Sequence, residues 1–391
     1  MPGKEINKRK FIKYGLLGIG GITCGLYGCN LFANGDEDEK ESPAPPPSMT
    51  PDDLWKWSKE ALFYSETPRG VKCLICPNEC LLKPDELSIC RNRINVENKL
   101  YTIAYGNPCA VHIDPIEKKP LYHFLPTSSA FSIATAGCNL ACLNCQNWSI
   151  SQTSPKETRN YDLMPEKVVE SCIDGDCDSI AYTYSEPVTF YEYTYDTAKI
   201  ARENGIKNIL VSAGYINEEP LRKLCKYIDG ANIDLKSFSN DIYIKLNGGT
   251  LDPVLNTLKI FKEENVWLEI TNLVVPTWTD DMDMIKKMCE WLVENGLHQY
   301  PLHFSRFHPM YKLTHLPATP ATTLQKAKKI ALAAGMEYVY IGNVPGSEGS
   351  NTYCPGCNTL LVERKGYSVT KINIEDNKCN SCGKEIPGIW Q

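Results

Sequence analysis

The sequence predicts an α/β fold, a partial (β/α)6-type TIM barrel with small cysteine-rich metal-binding modules at both ends. Three observations carry this prediction. From Phe131 onward one unit repeats, a short β-branched or aromatic run, a loop and an amphipathic stretch of ten to sixteen residues. Eleven of the 18 cysteines fall into three tight groups: Cys73, Cys76, Cys80 and Cys90; Cys138, Cys142 and Cys145; and Cys354, Cys357, Cys379 and Cys382. From Asn351 to Gln391 the repeat stops, and two CxxC pairs surround a hairpin-like run over 360–374.

The strands expected are Phe131–Thr135, Ser179–Tyr184, Lys207–Ala213, Ala231–Leu235, Val266–Val275, Leu302–Phe307 and Glu337–Ile341, with helices between them. A helix over Thr189–Asn204 stops at Gly205, and one over Pro253–Glu264 starts behind Asp252 as its cap. Strands that alternate with helices imply a parallel sheet, and six or seven such units make a partial or full barrel with its active site at the strand C-termini. Thr50-Pro51-Asp52-Asp53 reads as a helix start, a capping hydroxyl followed by proline and acids in the first turn. The expected organisation is a cysteine-rich region over 51–127, the barrel over 128–348 and a four-cysteine module over 349–391. At 391 residues and 42% hydrophobic content the chain can bury one large core with smaller satellites. Its net charge of -6 gives no general attraction to phosphate backbones, which sets nucleic acid aside in favour of small-molecule or protein substrates.

The first 33 residues read differently. Lys8, Arg9, Lys10 and Lys13 precede an apolar stretch from Tyr14 to Ala33 that suits a targeting or anchoring segment. The order at 8–13 resembles a twin-arginine export signal with Lys8 in place of the first arginine, and Leu26-Tyr27-Gly28-Cys29 resembles a lipoprotein cleavage box. An uncleaved membrane helix is the other reading, with the protein then on the cytoplasmic face or outside. In either case the basic flank stays inside and the acidic run Asp36–Glu41 goes outside. The residues 34–50, acidic and then proline-rich, form a semi-rigid tether.

Cys138, Cys142 and Cys145 directly follow the first barrel strand, so their thiols share one loop on the catalytic face. Three closely spaced cysteines can take three irons of a cubane and leave the fourth open for chemistry. A zinc knuckle, or a ferredoxin-like electron carrier that borrows Cys109 as a fourth ligand, would use the same residues. The four C-terminal cysteines have the spacing of two knuckles closing on one tetrahedral ion, a zinc ribbon, with rubredoxin-like iron or a second cluster as the alternatives. Cys73, Cys76, Cys80 and Cys90 suit zinc or an auxiliary cluster.

The motif at 138–145, the segment 114–126 (DPIEKKPLYHFLP), Cys145-Gln146-Asn147-Trp148 and the run 303–309 (HFSRFHP) resemble the radical SAM enzymes of the AmmeMemoRadiSam system, relatives of the pyruvate formate-lyase activating enzymes. The likeness covers residues 70–391. It implies a radical SAM core whose 4Fe-4S cluster sits on Cys138, Cys142 and Cys145 and whose open iron chelates S-adenosylmethionine. It implies an activating-enzyme-like oxidoreductase, in which reductive cleavage gives a 5′-deoxyadenosyl radical that takes hydrogen from a substrate, a protein glycine being one candidate. A low-potential electron donor follows from the same likeness. By resemblance, Ser185 and Glu186 meet the amino group of the cofactor, Asp234 and Lys236 hold its methionine end, and Gly214 and His308 lie beside it. This chain departs from the pattern at Asn144, where an aromatic residue is usual, and at Ala213, where an asparagine often precedes the glycine. His303 and His308 suit either a packed structural role or the site.

Overall fold

The structure, a computed structural model, describes residues 50–390. The export, lipoprotein and anchor expectations on 1–33, and nearly all of the tether, lie outside the described residues. Among the described residues no helix is long and apolar enough to cross a membrane.

Eight strands form the central sheet: β1 (Ala110–Pro115), β2 (Ser129–Ala134), β3 (Ser179–Tyr182), β4 (Lys207–Ser212), β5 (Gly230–Asp234), β6 (Trp267–Val274), β7 (Leu302–Arg306) and β8 (Val339–Gly342). They lie side by side in chain order, with β2 to β8 parallel and β1 antiparallel on the β2 edge. The crossovers carry α1 (Pro165–Asp174), α2 (Tyr191–Glu203), α3 (Glu218–Cys225), α4 (Asp252–Glu263), α5 (Met282–Glu294) and α6 (Ala321–Ala334). This is the open, partial barrel that the alternating pattern predicts. The parallel strands read as continuous apolar runs because both faces are covered, and every residue of β3 is buried. Register aligns the strand ends: Tyr182 faces Ile133 and Leu210, Ile233 faces Ser212, and Arg306 faces Val274. All seven parallel strands therefore deliver their C-terminal loops to one rim.

Helix boundaries follow capping chemistry. The Asp281 carboxylate accepts from the backbone N–H groups of Asp283 and Met284 to start α5, and Gly335, in the left-handed region at φ 108°, ends α6. Asp252 is the first residue of α4 rather than its cap, which is Leu251. The helix expected behind Thr50 shrinks to one 3-10 turn, Pro51–Asp53. A second turn, in which Ser58 N–H donates to the Trp55 carbonyl at 2.7 Å, then redirects the chain into a strand paired with Lys99–Thr102.

β1 was not expected as a strand. It extends the central sheet from within the cysteine-rich region, and two small antiparallel sheets precede it, one of them built on Tyr64–Thr67, Gly70–Cys73 and Leu81–Leu82. At the other end the hairpin of Leu360–Lys365 and Ser368–Ile372 forms as expected and packs Leu361 and Val362 against Tyr122, Tyr338 and Tyr340. Segment 114–126 closes the barrel from below. Buried Glu269 on β6 accepts from the backbone N–H groups of Tyr122 and His123, at 2.8 and 2.7 Å, and from His303 Nε2 at 2.7 Å.

Candidate active site at the strand C-termini

The loop after β2 turns at Gly137, whose φ of 100° and surroundings require glycine: a Cβ there would stand 2.3 Å from Asn92 Oδ1 and 2.5 Å from the Cys90 carbonyl oxygen. The loop then lies on a π-helical segment, Tyr243–Asn247. Ala141 N–H donates to the Asn247 carbonyl at 2.8 Å, Leu143 N–H to that of Leu246 at 2.9 Å, and the Asn139 amide to the Tyr215 carbonyl at 2.7 Å. So anchored, the loop presents Cys138, Cys142 and Cys145 to a cavity of about 1490 Å³ at the rim. Leu140 N–H points at Cys138 Sγ at 3.4 Å, and Asn247 Nδ2 donates to Cys142 Sγ at 3.2 Å. Burial pushes the Cys138 thiol well up, with Glu186 and Cys142 adding to the effect, and burial also raises Cys145.

Glu186 follows β3 and is 2% exposed. Ser212 Oγ donates to it at 2.6 Å, Ala213 N–H at 2.8 Å and Val188 N–H at 3.2 Å. Burial raises its pKa while these donors act in the opposite sense. A buried carboxylate so held suits a cationic partner. On the other side of the cavity, half-buried Lys236 pairs with Asp234 at 2.8 Å. Burial alone would lower this lysine, and Asp234 and Cys142 override it, so the ammonium is firmly charged. Ser185 lines the cavity, but its hydroxyl is committed to the Thr135 carbonyl at 2.7 Å. His308 is exposed at the cavity mouth, and His303 lies deep in it on Glu269. Gly214 packs behind the rim, its φ of 66° and its contact with Ile233 leaving no room for a Cβ. Ala213 contributes its backbone N–H to Glu186, which asks nothing of its side chain.

The donor set can be tested for a cluster. Zinc bound by sulfur at about 2.3 Å puts its four sulfurs about 3.8 Å apart at the corners of a tetrahedron. In the C-terminal module Cys354 and Cys382 stand 3.6 Å apart and Cys357 and Cys379 3.7 Å, the spacing of one ion. Among the described residues this quartet is the one group of three or more metal-type ligands whose atoms all lie within 4.8 Å of one another. Cys138, Cys142 and Cys145 are set wider, as thiolates on separate irons must be. Cys109 does not join them, since its thiol meets Thr158. The buried Oδ1 atoms of Asn144 and Asn247, both on the cavity wall, have no protein partner. These residues fit a cluster with one iron left open.

Two parts of the cavity have no sequence signature. Asn247 reaches Cys142 from the π-helical segment, and Arg364 and Tyr367 enter the wall from the C-terminal hairpin. Arg364 is clamped there by the Tyr122 carbonyl at 2.6 Å and the Thr352 hydroxyl at 2.9 Å.

Residues 132–292 match the family model described as "Radical SAM superfamily". Those residues form a radical SAM domain, which ties the chain to the S-adenosylmethionine-dependent radical chemistry on a 4Fe-4S cluster of that superfamily. Within it, the chain is of one family with "Uncharacterized protein MJ0808" of Methanocaldococcus jannaschii, 47% identical over 331 residues, 84% of this chain and 98% of that protein. It is also 24% identical over 218 residues to "Pyruvate formate-lyase 1-activating enzyme" of Escherichia coli (strain K12), 52% of this chain and 89% of that one. A solved domain of pyruvate-formate lyase-activating enzyme from Bacteroides vulgatus aligns with a TM-score of 0.38 at 17% identity, over 42% of this chain and 99% of that one.

Proposed function

We propose that the chain is a radical SAM oxidoreductase of the activating-enzyme kind, from the AmmeMemoRadiSam group, that abstracts hydrogen from a carbon of its substrate, a protein glycine being the leading candidate. The observation that carries this reading is the meeting, on one rim cavity, of three loop thiols spaced too widely for a single ion and a buried carboxylate held by three donors. When bound, a 4Fe-4S cluster with S-adenosylmethionine supplies reductive cleavage of a carbon–sulfur bond and a 5′-deoxyadenosyl radical. Cys138, Cys142 and Cys145 would hold the cluster. Glu186 would receive the ammonium of the methionine moiety, and Lys236, kept charged and aimed by Asp234, its carboxylate. Arg364 and Tyr367, across the cavity from the cysteine loop, would then border the substrate. The test is an anaerobic assay of reconstituted protein with dithionite and S-adenosylmethionine. 5′-Deoxyadenosine formation supports the reading, and a fully iron-loaded protein that forms none is an electron carrier instead.

Glu186→Gln keeps the shape of the side chain but removes the charge. Losing one charged hydrogen bond of about 1.5–3 kcal/mol should weaken S-adenosylmethionine binding roughly 10- to 100-fold. Titration calorimetry on the reconstituted variant measures it, and an unchanged affinity would remove Glu186 from the binding site.

We also infer that the C-terminal quartet holds one zinc ion in a structural role, because four thiolates leave no open position. Cys379→Ser is expected to lower the zinc content by about one ion per chain. Its melting temperature should fall by at least roughly 2–4 °C, the shift that 1 kcal/mol gives in a large domain. Elemental analysis and differential scanning fluorimetry give the two readouts.

A further inference from the structure

The reading above makes no use of Cys73, Cys76, Cys80 and Cys90. Cys73 ends the strand Gly70–Cys73, and its N–H donates to the Cys80 carbonyl at 2.9 Å. A turn closed by Glu79 N–H on the Cys76 carbonyl, 3.0 Å, brings Cys76 round, and Cys90 arrives from the loop before Arg93–Val96. All four side chains line one small cavity. Backbone N–H groups of Ile75, Asn78 and Asn92 aim at the sulfurs of Cys73, Cys76 and Cys90. Such N–H groups are the donors that sulfurs on a metal accept, more strongly than neutral thiols do.

Sulfur spacing then separates the two metals that the sequence leaves open. The C-terminal quartet gathers its sulfurs within 4.8 Å, and no three of these four do so. Four cysteines that converge on one cavity yet stand wider than a single tetrahedral ion allows are set for a polynuclear centre, in which the sulfurs bind different irons. All positions are then filled, so this centre offers no site for substrate.

Its location indicates what it does. Asn78, two residues after Cys76, donates through Nδ2 to the carbonyl of Asn139 at 2.8 Å, and Asn139 is bonded to Cys138. Asn139 lines the N-terminal cavity itself. The Cys90 carbonyl packs on Gly137, and Asn92 Nδ2 donates at 3.0 Å to Thr189 Oγ1, which donates in turn to the Glu186 carbonyl at 2.8 Å. One hydrogen bond, from the Asn78 side chain to the Asn139 backbone, thus joins the two cysteine loops.

We propose that Cys73, Cys76, Cys80 and Cys90 hold an iron–sulfur cluster that relays single electrons from a low-potential donor protein to the cluster site on Cys138, Cys142 and Cys145. The relay half of this proposal rests on the function proposed above; the identity of the N-terminal metal does not. In each transfer the N-terminal cluster loses one electron and the active-site cluster gains it, and the one-electron donor restores the first.

The test starts from the full chain carrying Cys138→Ala, Cys142→Ala and Cys145→Ala together, reconstituted anaerobically with iron and sulfide. It should retain iron and acid-labile sulfide in equal amounts, roughly two or four of each per chain, and lose them when Cys76→Ser is added. Zinc in their place, or one iron without sulfide, overturns the cluster. This measurement leaves the N-terminal ligands untouched, so it stands even where Cys76→Ser folds poorly. If the triple variant holds as much iron as wild type, the active-site reading fails and the N-terminal cluster stands. The relay is tested by paramagnetic resonance of the dithionite-reduced protein. Two reduced clusters this close should broaden each other's signals, so that the wild-type spectrum differs from the sum of the triple-variant and Cys76→Ser spectra; a spectrum equal to that sum overturns the relay.

Discussion

Cys142→Ala should abolish 5′-deoxyadenosine formation while leaving the fold intact. Loss of a partner one shell out from a metal typically costs 10- to 100-fold, so loss of a ligand itself should cost more than about 100-fold. The thiol is half-buried at the rim, and its one strong protein contact is the Asn247 amide at 3.2 Å. Removing it opens no core cavity, so the stability of the metal-free protein should change by less than about 1 kcal/mol. Chemical denaturation of the metal-free protein, set beside the product assay, separates lost chemistry from lost folding. Cys138→Ala and Cys145→Ala should behave alike. Cys109→Ala should leave product formation unchanged, because its thiol faces Thr158 rather than the cavity. Wild-type product levels in Cys142→Ala would sink the assignment of the loop.

The seven parallel strands were legible in the sequence because they are buried apolar runs separated by amphipathic helices, a pattern that burial on both sheet faces produces. β1 was not, since it sits on the sheet edge with only Asp114 fully buried and so shows no apolar run. The helix expected behind Thr50 had the right cap chemistry, but tertiary pairing of Lys59–Glu60 took the chain away after one turn. The cysteine groups could be found from spacing alone. Whether each group suits one ion or several is a question of sulfur-to-sulfur distance in space, which spacing along the chain does not carry. Asn247 and Arg364 were invisible for a related reason, since their roles come from which element packs on which, and neither has a local signal. The segment 114–126 carries no local signal beyond a family resemblance. Its physical task is to place the Tyr122 and His123 N–H groups on Glu269 and so close the barrel.

Glu192→Ala should be the most destabilising single substitution considered for this protein, at about 3–5 kcal/mol, because it leaves a buried charge unpaired. Glu192 begins the first turn of α2 and Arg93 lies in the cysteine-rich region, and both side chains are 1% exposed. Their pairing is two-pronged, with Arg93 Nη1 donating at 3.1 Å and Nη2 at 2.8 Å, and the same carboxylate takes Leu62 N–H at 2.8 Å. Alanine would strand the guanidinium and a backbone N–H together in a dry interface. The pair itself need not be strongly favourable, since desolvation of both ions offsets much of their attraction. Arg93→Met combined with Glu192→Leu should therefore lose less than Glu192→Ala alone, and denaturant unfolding of the two single variants and the double gives the coupling. A double variant no more stable than either single one would show that the interface depends on the charges rather than on filling the space. The ion pair fastens the segment carrying Cys90 to the helix that follows Glu186, so Glu192→Ala should also loosen the contact between the two cysteine loops. It should lower the iron bound by the N-terminal cysteines in elemental analysis, an effect that a purely local loss of stability on α2 would not produce.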